Sequence, residues 1–380
     1  MKRLLFIFFS LIAITAMARD LKVKVSTESV TDSAATGTRA VEGEKPVQPL
    51  NINIGTQKLS LFGYAQMHYD FTSQDGHRTN DFNIRRVILM ANAQLFNKLS
   101  IFLMVDAAST VAHKHLQEFY AQYDFLPQLK VRIGQFKQPF MLENLLSPSL
   151  LGTLNMNEST RYFAAIAGDP LMGNIAGRDL GLMVSGDAVT AADGHALLNY
   201  SAGIFNGSGL NFRDNNSQKD FIAMLNVVPV KGLTLSTSCL LGTGHAVGTD
   251  AYGNVQEGDN YRRQRWSAGL EAKMGRWMLR SEFAWGRNRD IKSLGAYAEV
   301  WFRVLPKLDI VADVDYLNRN TALSRDEQAA LGTYTQTTNF LVGLQYWVYK
   351  KCRVASQYIF NNRRTGPDAH QWVTQVQVAF

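Results

Sequence analysis

Basic side chains recur on one parity of segments in which apolar and polar residues alternate. From Trp277 to Trp285, the two tryptophans, Leu279 and Phe283 share one face, and Arg280 and Glu282 share the other. Cys352, Val354, Tyr358 and Phe360 likewise oppose Arg353 and Gln357. Ala296, Ala298, Val300 and Phe302 oppose Glu299 and Arg303. Arg86 and Arg132, with Lys58, Lys130, Arg265 and Lys273, fall on the same polar parity. Fixed cations aimed at a shared space can draw in anions and give charge-assisted hydrogen bonds to their oxygens. The same parity also carries Asp70, Asp106, Glu118, Asp124, Glu271 and Glu282, then Glu299, Asp309, Asp313 and Asp315. Two readings of this mixed face therefore stand. The cations select a solute, or they form ion pairs that keep water in an interior and hold a loop.

Other chemistry finds less support. Covalent catalysis needs a nucleophile, a base and an orienting group. His68, His77, His113, His115, His195, His245 and His370 form no such set. His113 and His115 flank Lys114 and could bind a metal, but two loop histidines are weak evidence for a site. Cys239 and Cys352 have no spacing pattern, so neither a disulfide framework nor a metal or cofactor site is expected.

The elements that must position these charges are strands. Sixteen alternating segments are read: 58–71, 82–96, 99–107, 116–125, 128–136, 178–186, 196–205, 219–229, 233–241, 264–274, 276–286, 293–304, 307–317, 337–348, 351–361 and 370–380. Most have about the ten residues that a tilted membrane-crossing strand needs. Short turns (Asn97-Lys98, Leu126-Pro127, Leu305-Pro306, Tyr349-Lys350) alternate with longer connections such as 72–81, 206–218, 242–263, 287–292 and 318–336. A barrel with tight periplasmic turns and longer outer loops sorts its connections this way. A soluble sandwich has no reason to do so. Aromatics at strand ends, among them Tyr69, Phe71, Tyr123, Phe125, Trp277, Tyr316 and Tyr346, fit interfacial girdles. The fold class expected is an all-β transmembrane antiparallel barrel of about sixteen strands, wide enough to leave an aqueous channel.

One connection is exceptional. Val131 to Phe136 alternates, then Lys137-Gln138-Pro139 ends the alternation, and about forty residues pass before the next strand. Long connections without their own structure are functional or disordered. This one holds Phe140, Met141, Leu142, Leu145, Leu146, Leu150 and Leu151 and is too apolar for solvated disorder. Residues 137–177 are expected to be the third outer loop, folded into the lumen as a constriction. The loop's own charges are Lys137 and Arg161 against Glu143, Glu158 and Asp169. Lys137, at the loop root, either faces the constriction or pairs with a carboxylate such as Glu143 and pins the loop.

The ends complete the organisation. Lys2 and Arg3 precede an apolar run from Leu4 to Ala18, and Ala16-Met17-Ala18 fits a cleavage site, so residues 1–18 are expected to be an export signal. Loss of those two cations takes the net charge from +7 to +5, far from a nucleic-acid-binding profile. Residues 19–57, rich in Thr, Ser, Ala, Glu and Lys, read as a flexible periplasmic linker, and 58–380 as the barrel. Outer-membrane lipid and lipopolysaccharide are the expected surroundings, in a Gram-negative envelope.

Leu129 to Phe140 ("LKVRIGQFKQPF"), followed by "ENL" and "SP", resembles the phosphate-selective porin O and P family. Gly177–Gly186 and Tyr200–Gly209 are similar to that family's segments after the third loop. The resemblance covers most of the barrel. It implies a sixteen-stranded homotrimeric outer-membrane porin whose inward third loop and basic residues attract anions such as phosphate. The terminal Phe380 resembles the signature read by the barrel-assembly machinery. The pore and constriction candidates are Lys137, Arg132, Arg86, Arg161, Arg280, Arg303 and Arg353. Passive diffusion of small solutes is the function expected. A loop-closed structural or adhesive barrel and a barrel enzyme are the competing readings.

Overall fold

A computed structural model describes residues 24–26, 50–54, 57–110, 114–172, 175–250 and 254–380. The expected export signal and most of the expected linker lie outside these residues. Two short strands fall within 19–57: β1 (Lys24–Ser26) and β2 (Leu50–Ile54), which pair with each other. β2 also pairs with the start of the barrel's first strand, so this end of the expected linker belongs to the sheet.

That first strand is β3 (Gln57–Gln74), followed by β4 (His77–Phe96), β5 (Leu99–Asp106), β6 (Leu116–Leu126) and β7 (Leu129–Lys137). After a long excursion come β8 (Arg178–Thr190), β9 (Ala196–Phe205), β10 (Asp220–Val230), β11 (Leu233–His245), β12 (Asn260–Met274) and β13 (Trp277–Asn288). The last five are β14 (Ile291–Leu305), β15 (Leu308–Asn318), β16 (Gln336–Tyr349), β17 (Cys352–Arg363) and β18 (Ala369–Ala379). Each pairs antiparallel with its neighbour in sequence. β18 closes on β3, with Ala369 opposite Gln74 and Ala379 opposite Tyr64, so β3–β18 form a closed sixteen-stranded barrel.

The alternation decides which face meets lipid. In β13, Trp277 and Phe283 are exposed while Arg280 and Glu282 are buried. In β16, Phe340, Val342, Leu344 and Tyr346 are exposed and Gln345 is buried. A closed ring satisfies every strand edge, which the bilayer demands because it offers backbone groups no water.

Two of the outer connections expected to be long are tight turns. Residues 72–81 are mostly strand, and the chain reverses at Asp75 (φ 50°) and Gly76 (φ 76°). Asp-Gly with two positive φ values matches the right-handed twist of a hairpin, so polar residues on both sides stay in the ladder. Arg289 (φ 52°) and Asp290 likewise replace the expected 287–292 connection. The long excursion keeps its expected place, since β7 ends at Lys137 and β8 begins at Arg178. It contains two short helices, α1 (Leu142–Leu145) and α2 (Glu158–Phe163), with a 3-10 turn at Pro148–Leu150 between them. A third helix, α3 (Arg325–Ala330), sits in a later outer loop.

The excursion packs on the inner face of the barrel. Phe140, Met141, Tyr162 and Phe163 form one cluster with Met183, Phe205, Ile222, Leu240, Ala284 and Leu317. These wall residues come from strands β8 to β15. Phe140 and Phe163 are wholly buried, and burying a phenylalanine stabilises by roughly 1.5–3 kcal/mol. The barrel thus has a hydrophobic core inside it, along one wall.

Candidate functional site

Backbone chemistry holds the excursion, here called L3, at both ends and along its length. Pro139 cannot donate to a ladder, so pairing ends there. Gln138 bridges the two roots: its N–H donates to Gly177 O at 3.0 Å, and its side chain to Asp179 at 3.4 Å. Asn144 Nδ2 donates to Gln138 O at 3.1 Å and Gly177 O at 3.4 Å. Further on, wall carboxylates accept the loop's orphan N–H groups. Leu142 and Glu143 N–H donate to Glu282, at 2.7 and 3.0 Å. Thr153 N–H donates to Glu299 at 2.9 Å, and Glu158 and Ser159 N–H to Asp315 at 2.5 and 3.3 Å. Such charge-assisted bonds are roughly twice as strong as neutral ones. The inward acids of β13–β15 are therefore the seat of L3.

Glu143 is buried inside this seat and accepts from Asn157 Nδ2 at 3.2 Å. Burial, aided by Glu299 and Glu282, pushes its carboxyl up to about 8 against the help of Thr160 and Arg280. Lys137 does not pair with it. Its ammonium donates instead to Leu146 O at 2.5 Å, so this lysine pins L3 through a carbonyl. It also lines a water-accessible cavity.

The opposite wall is shaped by one irregularity. Gln66 of β3 faces Arg86 of β4, but Met67 faces Ile84, so Arg85 is an extra residue. A bulge of this kind re-aims a side chain. Arg85 and Arg86 therefore both turn into the lumen. Arg85 Nη2 reaches Asn155 Oδ1 on L3 at 3.4 Å, and Arg86 Nη1 donates to Gln66 Oε1 at 3.0 Å. Two cavities, of about 570 and 400 Å³, share Asn83, Arg85, Asn155, Met156 and Arg161. The water path thus runs between Arg85 on the wall and the tip of L3. The larger cavity meets charges of both signs, Arg319 and Arg363 with Asp313 and Asp315. Its neighbour meets Arg85, Arg86, Lys114, Lys137, Arg161 and Arg178, with Asp106 the sole carboxylate among its lining residues.

The seven candidate cations divide by their partners. Arg280 is buried and ion-paired to Glu271 at 2.8 Å and Glu299 at 3.1 Å. Arg303 pairs with Asp309 at 3.0 Å, and Arg161 with Glu158. Arg353 is buried, donating to Leu151 O at 2.7 Å and Gln345 Oε1 at 2.6 Å. Among the described residues, Arg86, Arg132 and Lys137 form no ion pair, and neither does Arg85. Arg85 escaped the parity count, yet the sequence held a signal. Two consecutive arginines in a strand would put one on the lipid face at about 2–4 kcal/mol, unless a bulge turns both inward. His113 lies outside the described residues. Among those described, no group of three or more His, Cys, Asp or Glu is placed to hold a metal.

A closed barrel with an apolar outer belt, and a loop seated inside it beside a charged water path, defines an outer-membrane porin of Gram-negative bacteria. The family model for phosphate-selective porin O and P matches residues 63–380, and the chain belongs to that family. Solved porin structures share the fold. DcaP, an outer membrane channel of Acinetobacter baumannii, is 10% identical at a TM-score of 0.60, over 85% of this chain and 97% of its own. OmpF of Salmonella typhi is 13% identical at 0.61, over 87% and 100%. OmpT of Vibrio cholerae, solved in a trimer form, is 12% identical at 0.58, over 85% and 99%. No curated protein sequence matches the chain.

Proposed function

We propose that this porin passes small anions in preference to cations, through the gap between L3 and the β3–β7 wall. One contrast supports the reading. Arg161, Arg265 and Arg280, under and around L3, are held by carboxylates, whereas Arg85, Arg86 and Lys137 border the water path without one. An unpaired cation beside a narrow water path lowers the energy of a passing anion and raises that of a cation. The family's description points to phosphate, whose oxygens would take charge-assisted bonds from Arg85, Arg86 and Lys137. L3 acts as the constriction, and Lys137 serves both as its anchor and as part of the basic lining. A homotrimer is the proposed assembly, in line with the trimer form of OmpT. The loop-closed barrel draws less support, because two cavities reach the tip of L3.

The test is the reversal potential of the full chain in planar bilayers under a potassium chloride gradient. Arg85→Gln removes one exposed charge without touching the L3 seat. The chloride-to-potassium permeability ratio should fall by roughly two- to five-fold, the size of a Coulomb energy of about 0.5–1 kcal/mol in watery surroundings. An intact channel that prefers potassium would sink the proposal.

A further inference from the structure

Past its outer aromatic belt, the lipid-facing surface of the barrel turns basic at one place. In β12, β13 and β14 exposed and buried residues alternate up to the strand ends, so the outward parity can be followed beyond the apolar belt. Trp277 and Trp285 of β13 share that parity. The rise between them, at about 3.3 Å per residue and a tilt of about 40°, is roughly 20 Å, near the ~25 Å height of an outward apolar band. Trp266 of β12 lies directly opposite Trp285, and tryptophans of this kind sit at headgroup level. The next outward residues beyond these two rings are Gln264, Arg287 and Lys292, each directly opposite the next across β12, β13 and β14. Arg262 follows one outward step further along β12. Arg262, Arg287 and Lys292 are all exposed, each between two buried neighbours.

Pairing within the chain does not account for this row. Arg287 and Lys292 stand directly opposite, and like charges so placed destabilise a sheet. Among the described residues, Arg262 and Lys292 form no ion pair. Arg287 pairs at 3.1 Å with Asp290, itself exposed, and exposed pairs hold weakly. Arg289, beside the row, is tied instead to Asn254 O at 2.6 Å and to Asp259 at 3.3 Å. Three cations thus meet one carboxylate at headgroup depth. Elsewhere the rim differs: the outward residues at the outer ends of β16 and β3 are Gln336 and Thr338, and Phe71 and Ser73. The lumen lies on the other face of these strands, so a solute crossing the channel does not meet the row. An anionic lipid headgroup does. Guanidinium groups recognise phosphate through paired N–H donors, and the phosphate-bearing headgroup of the outer leaflet is that of lipopolysaccharide. Its acyl chains would lie along Trp266, Trp285 and Phe283 below.

We propose that Arg262, Arg287 and Lys292, with the Gln264 amide between them, form a binding site for the phosphorylated glucosamine headgroup of lipopolysaccharide on the outer face of β12–β14. The site is independent of which ions the channel prefers. The full chain in detergent micelles is titrated with bisphosphorylated lipid A, and bound lipid is counted by native mass spectrometry. Dephosphorylated lipid A, with the same acyl chains, and inorganic phosphate separate the contributions of chains and charge. The bisphosphorylated form should bind more tightly than the dephosphorylated one. Arg262→Gln and Lys292→Gln should each weaken it by about five-fold, and together by about twenty-five-fold, the size expected for single basic residues at an anionic lipid surface. Arg78→Gln removes a lone exposed cation from the outer end of β4 and should leave binding unchanged. Heat-modifiable migration on gels and an unaltered chloride conductance show that each variant has folded. Equal binding of the two lipid A forms would overturn the proposal. So would an Arg78→Gln loss as large as that of Arg262→Gln. Displacement of lipid A by inorganic phosphate at equal concentration would reduce the row to a plain phosphate site. A double variant that loses its oligomeric state while keeping its lipid A affinity would assign this face to contact between copies of the chain instead.

Discussion

The two inner walls of this barrel solve opposite problems with the same residue types. Along β8–β15 the wall is protein core. Apolar side chains meet Phe140 and Phe163 of L3, and Arg280, Arg263 and Arg265 are buried against Glu271 and Glu299, Asp220 and Asp169. Along β3–β7 part of the wall faces water, beside the buried Tyr64, Ile88, Met104 and Phe136. Arg85, Arg86 and Arg132 form no ion pair there among the described residues. An arginine on inward parity is thus not by itself a pore residue. What decides its role is whether protein oxygens already hold it, carboxylates for Arg280, Arg263 and Arg265, a carbonyl and an amide for Arg353. A buried charge needs its partner to remain tolerable, whereas a lumenal charge is solvated and can be left free.

The largest effect should come from breaking the filled wall. Arg280→Ala leaves Glu271 and Glu299 without their shared guanidinium, and Glu299 also accepts from Thr153 N–H and Trp301 Nε1. Removing one partner of a buried pair costs roughly 3–5 kcal/mol. Denaturant unfolding of the refolded barrel should show that loss, while the reversal potential moves less than it does in Arg85→Gln. If Arg280→Ala shifted selectivity as strongly as Arg85→Gln and left stability intact, the division between the walls would fail.

Much of this was legible in the sequence, and the reasons differ by element. Strand count and facing follow from period-two alternation, which the bilayer enforces in every strand. The place of L3 was visible because Pro139 interrupts a strand and leucines crowd a loop. Hairpins at Asp75-Gly76 and Arg289-Asp290 were missed because both flanks are polar and carry no apolar alternation. The partner of each charge was hidden for another reason. Arg265 pairs with Asp169 across 96 residues, and Glu282 holds Leu142 across 140. Parity puts side chains on a face, but only closure of the ring brings distant strands to one loop. The extra turn of Arg85 needed a bulge, which alternation alone cannot place.

A middle-sized effect is expected where L3 comes closest to the filled wall. A Cβ on Gly152 would stand 1.9 Å from Trp301 Nε1 and 2.2 Å from Glu299 Oε1. Trp301 cannot retreat easily, since it is buried with Met278, Val311 and Leu341. Gly152→Ala should therefore lift this part of L3 toward the lumen, costing roughly 1–3 kcal/mol as overpacking does. Single-channel conductance should drop, because the displaced loop moves toward the open wall. A conductance and stability equal to those of the intact protein would mean that L3 does not sit hard against β14.

The smallest effect tests the seat by pH. Glu143 holds its proton up to about 8, against an ordinary 4.5, chiefly because it is buried beside Glu282 and Glu299. With the folded value raised, the folded chain binds a proton that the unfolded chain has already lost. The contribution to stability is therefore full below about 4.5, and it declines as pH rises toward about 8. Above about 8 the seat holds a charged carboxyl among Glu282, Glu299 and Asp313, with Arg280 of the wall partly offsetting it. L3 should then loosen first, seen as noisier single-channel current at about pH 9 than at about pH 6. Glu143→Gln keeps the shape and cannot ionise, so it should flatten this difference while leaving the anion preference of the open wall in place. Persistence of the full pH effect in that variant would move its origin to another group. A loss of anion preference together with the pH effect would show that the two walls are not independent.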